Sequence, residues 1–101
     1  MMTFAPWRPR NEDAETTTLV ARVARGDRAA LAQLYRREAG PVYRYALALS
    51  GNTALAADAT QDAFLAFADK PQAFDPRRGT LGAYLAGAAR HALLAQWRQA
   101  K

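Results

Sequence analysis

The sequence predicts an all-α domain, a compact bundle of about five helices that follows a flexible N-terminal arm. Half of the 101 residues are apolar, and many of these are alanine, the strongest helix former, whereas β-branched residues are few. Apolar residues recur at spacings of three and four, and no segment alternates apolar with polar residues as a half-buried strand does.

The arm and the first helix occupy the N-terminal quarter of the chain. Residues 1–15 mix prolines, charges and isolated aromatic rings without any period, which is typical of a flexible arm. A threonine at the start of the following segment, Thr16 or a neighbour, supplies an N-cap, and Leu19 and Val23 give the helix an apolar face. Gly26 then ends this first helix.

The next two helices are predicted on either side of a Gly-Pro pair at positions 40–41. Asp27 caps the second helix, in which Leu34 and its apolar neighbours recur at helical spacing. The Gly-Pro pair is expected to break or bend the chain. A third helix then covers residues 42–49 and ends at the Ser-Gly-Asn sequence of residues 50–52.

The C-terminal half contains two more helices and one loop. The fourth helix starts at Thr53 and runs to about residue 69. Residues 70–79 contain two prolines and a glycine and are predicted to form a loop. Thr80 caps a last helix that meets no stop signal before Lys101. We therefore expect one domain over residues 16–101.

The composition excludes several functional classes. The chain has no cysteine, so it can form neither a disulfide nor a thiolate metal site, and it has no apolar run of membrane-spanning length. The N-terminus lacks the apolar core of a signal peptide, so we expect a soluble cytoplasmic protein. His91 is the only histidine, and Asp58 and Asp62 alone are weak evidence for a metal. We expect no catalysis, cofactor, metal or membrane insertion.

The net charge of +5 lies entirely in the last third of the chain. Residues 1–69 carry equal numbers of basic and acidic side chains, whereas Asp75 is the only acid after them. The C-terminal third therefore has the charge of a polyanion-binding surface. Its cations are Lys70, Arg77, Arg78, Arg90, Arg98 and Lys101.

The fourth predicted helix has two chemically different faces. One stripe contains Asp58, Gln61, Asp62, Leu65 and Asp69, without a basic residue one turn away from any aspartate. The opposite, core-facing side contains Ala56, Ala59, Ala63, Ala66 and Phe67. The stripe is either an ordinary solvated face or, because it is unpaired and surrounds an exposed leucine, a docking surface for a basic protein element.

The last helix also has two faces. The apolar line is predicted to contain Leu81, Leu85, Ala88, Ala92 and Ala95. The other side contains Ala83, Gly87, Arg90, His91, Leu94, Trp97 and Arg98, with Tyr84 at its margin. Cations and flat rings on one face suit phosphates and unpaired bases, although either ring could be half-buried core. Gly87 suggests a close backbone approach, by nucleic acid or by another helix.

Residues 74–79, with the sequence FDPRRG, lie immediately before this helix. Two arginines beside a helix N-terminus add positive charge where anions are already favoured. Pro76 and Gly79 restrict how the segment can bend, so it could form a pocket in advance of binding.

Three segments together resemble a known family. LVARVARGDRAALAQLY at 19–35 is similar to the opening of region two of bacterial extracytoplasmic-function sigma factors. ADATQDAFL at 57–65 resembles their polymerase-binding helix, and FDPRRGTLGAYLAGAAR at 74–90 resembles their promoter-melting loop and helix. The resemblance covers about residues 17–99, in the family's order and spacing.

This resemblance implies a helical domain of the sigma region-two type with two partners. It would dock on the clamp coiled coil of the largest RNA polymerase subunit through Asp58, Gln61, Asp62, Leu65 and Asp69. It would also open the minus-ten promoter element by capturing a flipped base of the non-template strand. Phe74, Asp75, Arg77 and Arg78 would shape the base pocket, and Tyr84, Gly87, Arg90, His91, Leu94 and Arg98 would lie along the strand. An anti-sigma factor is a further implied partner.

The chain departs from the family at three positions. Tyr84 stands where tryptophan is usual, His91 where asparagine is usual, and Ala95 where aspartate is common. The second domain of these factors, which reads the minus-35 element, is not expected within these residues. Two alternatives therefore stay open: a degenerate sigma-like module that binds a regulator without melting DNA, and a basic helical DNA-binding protein that does not contact polymerase.

Overall fold

The computed structural model describes residues 13–99, and within them the chain folds into four α-helices and one short 3₁₀ turn. The helices are α1 (Ala14–Ala24), α2 (Arg28–Ser50), α3 (Thr53–Asp69) and α4 (Leu81–Gln99), and the 3₁₀ turn is Pro71–Ala73. The all-α prediction is confirmed. Residues 13–99 contain four α-helices where we predicted about five, because the second and third predicted helices are the single helix α2.

Helix α1 begins earlier than predicted. Asp13 is its N-cap, and one carboxylate oxygen accepts a hydrogen bond from the Thr16 backbone N–H at 2.9 Å. Residues 13–15, which we assigned to the arm, are therefore the cap and first turn of α1, because aspartate is a stronger N-cap than threonine. The rest of the predicted arm, residues 1–12, lies outside the described residues.

A tight turn joins α1 to α2. Gly26 has a φ of 88°, a left-handed conformation that glycine adopts without strain. Asp27 then caps α2, because its side chain accepts a hydrogen bond from the backbone N–H of Ala30 at 3.2 Å. The other carboxylate oxygen of Asp27 accepts from Arg22 Nε at 2.8 Å, which ties the last turn of α1 to the first turn of α2.

Helix α2 continues through the Gly-Pro pair at positions 40–41, where we predicted a break. Pro41 cannot donate a hydrogen bond to the preceding turn, but its ring lies on the exposed side of the helix. Leu34 and Val42, on either side of it, are both buried. Burial of this continuous face outweighs the local preference of proline, as tertiary packing commonly does.

Small side chains on α3 allow α2 and α4 to pack closely against it, and the core lies between these helices. Helix α3 packs against both α2 and α4, and α1 packs on α2 and against the 3₁₀ turn. Ala56, Ala59, Ala63 and Phe67 are buried as predicted, whereas Ala66 is exposed and Phe64 is buried in its place. Phe64 lies between the two predicted faces of α3, and the neighbouring helix α2 covers it.

Helix α4 starts as predicted, with Thr80 Oγ1 accepting from the Ala83 backbone N–H at 3.1 Å. Its buried line differs from the predicted one. Ala88, Ala92 and Ala95 are only half-buried, and the fully buried residues are Leu81, Leu85, Ala89 and Leu93. Each residue advances about 100° around a helix. The predicted line steps by three residues, from Leu85 to Ala88, and this rotates it away from Leu93. The buried line steps by four instead, from Leu85 to Ala89 and on to Leu93.

Candidate functional site

The outer face of α3 is fully accessible. Asp58, Gln61, Asp62, Leu65 and Asp69 are all exposed, and 60% of the accessible surface of Leu65 is open to solvent. None of the three aspartates forms an ion pair with another residue of the range 13–99. This face therefore presents three uncompensated negative charges around one apolar side chain.

A groove of about 740 Å³ runs beside this face, between α2 and α3. Leu65 and Gln61 line it from α3, so the groove is continuous with the acidic stripe. The ring of Tyr35 packs on Phe64 with a centroid distance of 4.8 Å and is still 47% exposed. The remaining lining is mainly apolar, with two arginines on the α2 side: Arg28, Leu31, Ala32, Arg36, Ala57 and Ala68.

Sequence reasoning missed the α2 wall of this groove. Leu31 and Tyr35 lie at helical spacing with Leu34, and that spacing alone does not separate them from the core. The available signal was that Arg28 and Arg36 bracket this apolar pair on the same side of the helix, which indicates a boundary between core and surface.

The loop before α4 is organised around one carboxylate. Asp75 Oδ1 accepts hydrogen bonds from Arg77, from its backbone N–H at 3.0 Å and its Nε at 3.2 Å, and Oδ2 accepts from Arg77 Nη2 at 3.3 Å. The backbone N–H of Arg78 donates to the Asp75 carbonyl at 3.0 Å. The Arg77 side chain, followed by its backbone N–H, lowers the pKa of Asp75, and the same pairing raises the pKa of Arg77.

A pocket of about 400 Å³ opens between this loop and the first turns of α4. Phe74 forms its inner wall and is only 6% exposed, with its ring centroid 5.4 Å from that of Tyr84. Tyr84 is half-buried, which agrees with the alternative that we left open for this ring. Gly79, with a φ of 154°, makes the last bend of the loop, and no residue with a β-carbon adopts that conformation easily. The remaining lining consists of Ala73, Asp75, Arg78, Thr80 and Ala83.

The outer face of α4 continues from this pocket toward the C-terminus of the helix. Gly87, Arg90, His91 and Arg98 are exposed, and Leu94 is half-buried. Trp97 is 41% exposed, so it is not a core residue. A β-carbon at Gly87 would meet no atom within 4 Å, so no described helix makes the close approach that we considered for this glycine.

The acidic face and the cationic face have no residue in common. The first is on α3, and the second is formed by the loop and α4. None of the carboxylates on the α3 face forms an ion pair with Arg90, His91 or Arg98 among residues 13–99. The two surfaces are therefore separately available to two partners of opposite charge.

The family described as Sigma-70 region 2 matches residues 34–101, about two thirds of the chain. The chain belongs to the sigma-70 region 2 family. It is thus a sigma factor domain of transcription initiation, in a family of non-enzymatic factors that act with RNA polymerase and promoter DNA. The match begins in the second turn of α2 and includes both faces described above. Comparisons with curated proteins and with solved structures give no match.

Between positions 13 and 99, this sigma region 2 domain shows neither a cluster of metal ligands nor a membrane-spanning helix. No three His, Cys, Asp or Glu side chains between positions 13 and 99 come together as a metal ion would require. None of the helices in that range combines the length and the apolar character needed to cross a bilayer.

Proposed function

We propose that the chain is the region 2 domain of an extracytoplasmic-function sigma factor that binds RNA polymerase through α3 and melted promoter DNA through α4. The observation that carries this proposal is the separation of one acidic and one cationic face on two adjacent helices. The polymerase partner is the clamp coiled coil of the largest subunit, and the DNA partner is the non-template strand of the minus-ten element. The site of action is the bacterial cytoplasm.

The polymerase-binding half of the proposal rests on Asp58, Asp62 and Leu65. Exposed, unpaired carboxylates attract a basic protein element and set its orientation. The exposed Leu65 and the adjoining apolar groove offer the desolvated contact area that such an interface needs in addition to charge. Gln61 lies at the junction of the acidic face and the groove, where it can form hydrogen bonds with a partner in either.

The DNA-binding half rests on the pocket lined by Phe74 and on the arginines of α4. Flipping a base out of the duplex costs a few kcal/mol. Stacking on an aromatic ring contributes about 1–3 kcal/mol per base, and the ring of Tyr84 is at the pocket wall. Arg90 and Arg98 extend the cationic surface away from the pocket, along the path that the phosphates of the strand would follow. His91 lies between them and offers a ring nitrogen to a base or a phosphate.

A polymerase-binding assay tests the α3 face. In a pull-down with a purified clamp coiled-coil fragment, Asp62→Arg should weaken binding by about tenfold or more, because like charges then meet at the interface. Glu15→Arg, on the exposed first turn of α1, makes the same charge change away from this face and should bind as wild type does. Equal binding by both variants would show that the docking face is wrong, and would favour a DNA-binding protein without polymerase contact.

Fluorescence anisotropy with single-stranded and duplex minus-ten oligonucleotides tests the α4 face. Wild type should prefer certain single-strand sequences, and Arg90→Ala should weaken that binding. Arg25→Ala, at the end of α1, removes an arginine outside this face and should have little effect.

A second candidate function is favoured by Tyr84, His91 and Ala95, the departures from the family pattern. In this reading the domain is an interaction module that binds a regulator, such as an anti-sigma factor, and no longer melts DNA. Single-strand binding without any sequence preference, fading steadily with salt, would support this second candidate.

A further inference from the structure

We propose that the two adjacent loop arginines have different roles: Arg77 neutralises and positions Asp75, and only Arg78 offers its charge to the DNA strand. This inference rests on the proposed function, because it concerns the loop that forms the DNA-binding pocket. The sequence alone does not distinguish the two arginines, whereas their contacts do.

The contacts of Arg77 are all directed at one carboxylate. Its backbone N–H and Nε donate to Asp75 Oδ1 at 3.0 and 3.2 Å, and its Nη2 donates to Oδ2 at 3.3 Å. Both carboxylate oxygens are therefore engaged by the same residue, two positions along the chain. Pro76 lies between the two partners and fixes one backbone torsion of the turn. A hydrogen bond from the Arg78 backbone N–H to the Asp75 carbonyl closes the turn.

Arg78 has a different environment. Its side chain is exposed, forms no ion pair within residues 13–99, and lines the pocket together with Asp75 and Tyr84. Arg77 is absent from the pocket lining, and its side chain is 87% exposed. Of the two cations, Arg78 is therefore the one that a strand in the pocket would meet.

The pairing matters because Asp75 itself lines the pocket. An unpaired carboxylate at that wall would repel a phosphate or a carbonyl-rich base edge. Arg77 compensates that charge while leaving the Asp75 backbone to close the turn. An exposed ion pair contributes little to global stability, so the effect of Arg77 should appear in strand binding and not in folding.

The test measures binding of a fluorescein-labelled, mixed-sequence single-stranded DNA 12-mer to the full chain at several salt concentrations. Arg77→Ala should weaken binding by about 3- to 10-fold, the size of a repulsion that is partly screened by water. When Asp75→Asn is added to the Arg77→Ala variant, both the affinity and the salt dependence should return to the wild-type values. Asparagine keeps the side-chain acceptor of the turn but carries no charge. Arg78→Ala serves as the matched control and should lower the slope of log K against log salt by about 0.7, the loss of one phosphate contact to a single strand.

Two outcomes of the salt titrations would overturn the inference. One is a double variant, Asp75→Asn with Arg77→Ala, whose salt slope is reduced as much as that of Arg78→Ala, because Arg77 would then contact a phosphate itself. The other is an Arg78→Ala variant with an unchanged slope. If wild type binds no single strand at all, the proposed function fails and this inference fails with it. NMR titration of the Asp75 carboxyl tests the pairing without DNA: its pKa should rise toward the ordinary value in Arg77→Ala, and an unchanged pKa would contradict the pairing.

Discussion

At the scale of single residues, Phe67 is the largest side chain among those fully buried in the described part of the chain. It lies on α3, the helix that packs against both of its long neighbours. Because the ring is fully buried, removing it would leave a cavity in the core.

We therefore expect Phe67→Ala to lower the free energy of unfolding by about 3–5 kcal/mol, the usual range for a buried phenylalanine. Urea denaturation followed by circular dichroism measures this change. Leu65→Ala, two residues away on the exposed face, is the matched control and should change stability by less than about 0.5 kcal/mol. Similar losses for both variants would mean that the assigned orientation of α3 is wrong.

Asp27 provides a residue-level prediction about pH. Hydrogen bonding to Arg22, and then to the Ala30 backbone, lowers its pKa below the ordinary value of an aspartate. A carboxylate whose pKa is lower in the folded state than in the unfolded state stabilises the fold at any pH above its unfolded-state pKa. This contribution is lost as the pH falls through its folded-state pKa. Wild type should therefore melt at a higher temperature than Asp27→Asn at pH 6, and the difference should shrink toward pH 2.

The asparagine variant keeps the capping oxygen, so the comparison isolates the charge. All other carboxylates titrate in both proteins and cancel in the difference between the two melting temperatures. A difference that stays constant from pH 6 to pH 2 would show that the Arg22–Asp27 pair does not stabilise the fold through its charge.

At the scale of the elements, α4 carries a glycine that packing does not explain. A β-carbon at Gly87 would have open space around it, so Gly87→Ala should stabilise the fold by up to about 1 kcal/mol through helix propensity alone. The same methyl group should weaken single-strand binding if a DNA backbone approaches the helix there. Thermal denaturation and anisotropy on one protein preparation measure the two effects.

Gly82→Ala is the control for this variant, on the same helix. A β-carbon at Gly82 would lie 3.0 Å from Glu38 Oε1, so that side chain must move and the gain in stability should be smaller than at Gly87. A stabilised Gly87→Ala variant with wild-type DNA binding would show that no close approach occurs at this position.

The helices themselves were largely predictable, because local signals determine where they start. Asn52 and Thr80 stand immediately before α3 and α4, and both accept capping hydrogen bonds. The Gly-Pro pair at 40–41 was misleading because its local preference yields to burial of α2 on both sides of it. The buried line of α4 also depends on a neighbour, since α3 determines which of two adjacent residues faces inward. The predicted break at residues 40–41 and the predicted buried line of α4 are both wrong for the same reason. Each depends on packing between helices, which a local sequence pattern does not encode.

At the scale of the whole molecule, the two exposed faces were predictable, and the groove between α2 and α3 was not. Uncompensated charge shows directly in a sequence, so Asp62 and Arg90 could be assigned to surfaces from helical period alone. The groove requires that Tyr35 on α2 meet Phe64 on α3, residues that are far apart along the chain. The pairing of Asp75 with Arg77 is local, but its geometry depends on the turn that Pro76 forms between them.

The cationic face predicts a specific salt dependence. Arg78, Arg90 and Arg98 are its exposed arginines without an ion pair among residues 13–99. If each contacts one phosphate of a single strand, log K should fall against log salt with a slope of about −2. Titrations between low and moderate salt measure this slope, and Arg25→Ala should leave it unchanged. A slope near zero would indicate that stacking alone holds the strand.

Because the two faces have no residue in common, each can be inactivated while the other is kept. Under the proposed function, a chain without the arginines of the loop and α4 would still present every side chain of α3 to polymerase. In a cell that also makes the intact factor, such a chain would act as a dominant-negative competitor: it would occupy the enzyme without opening a promoter. On the same proposal, the reverse variant, altered only on α3, would be recessive, because it would bind polymerase too weakly to compete with the intact factor.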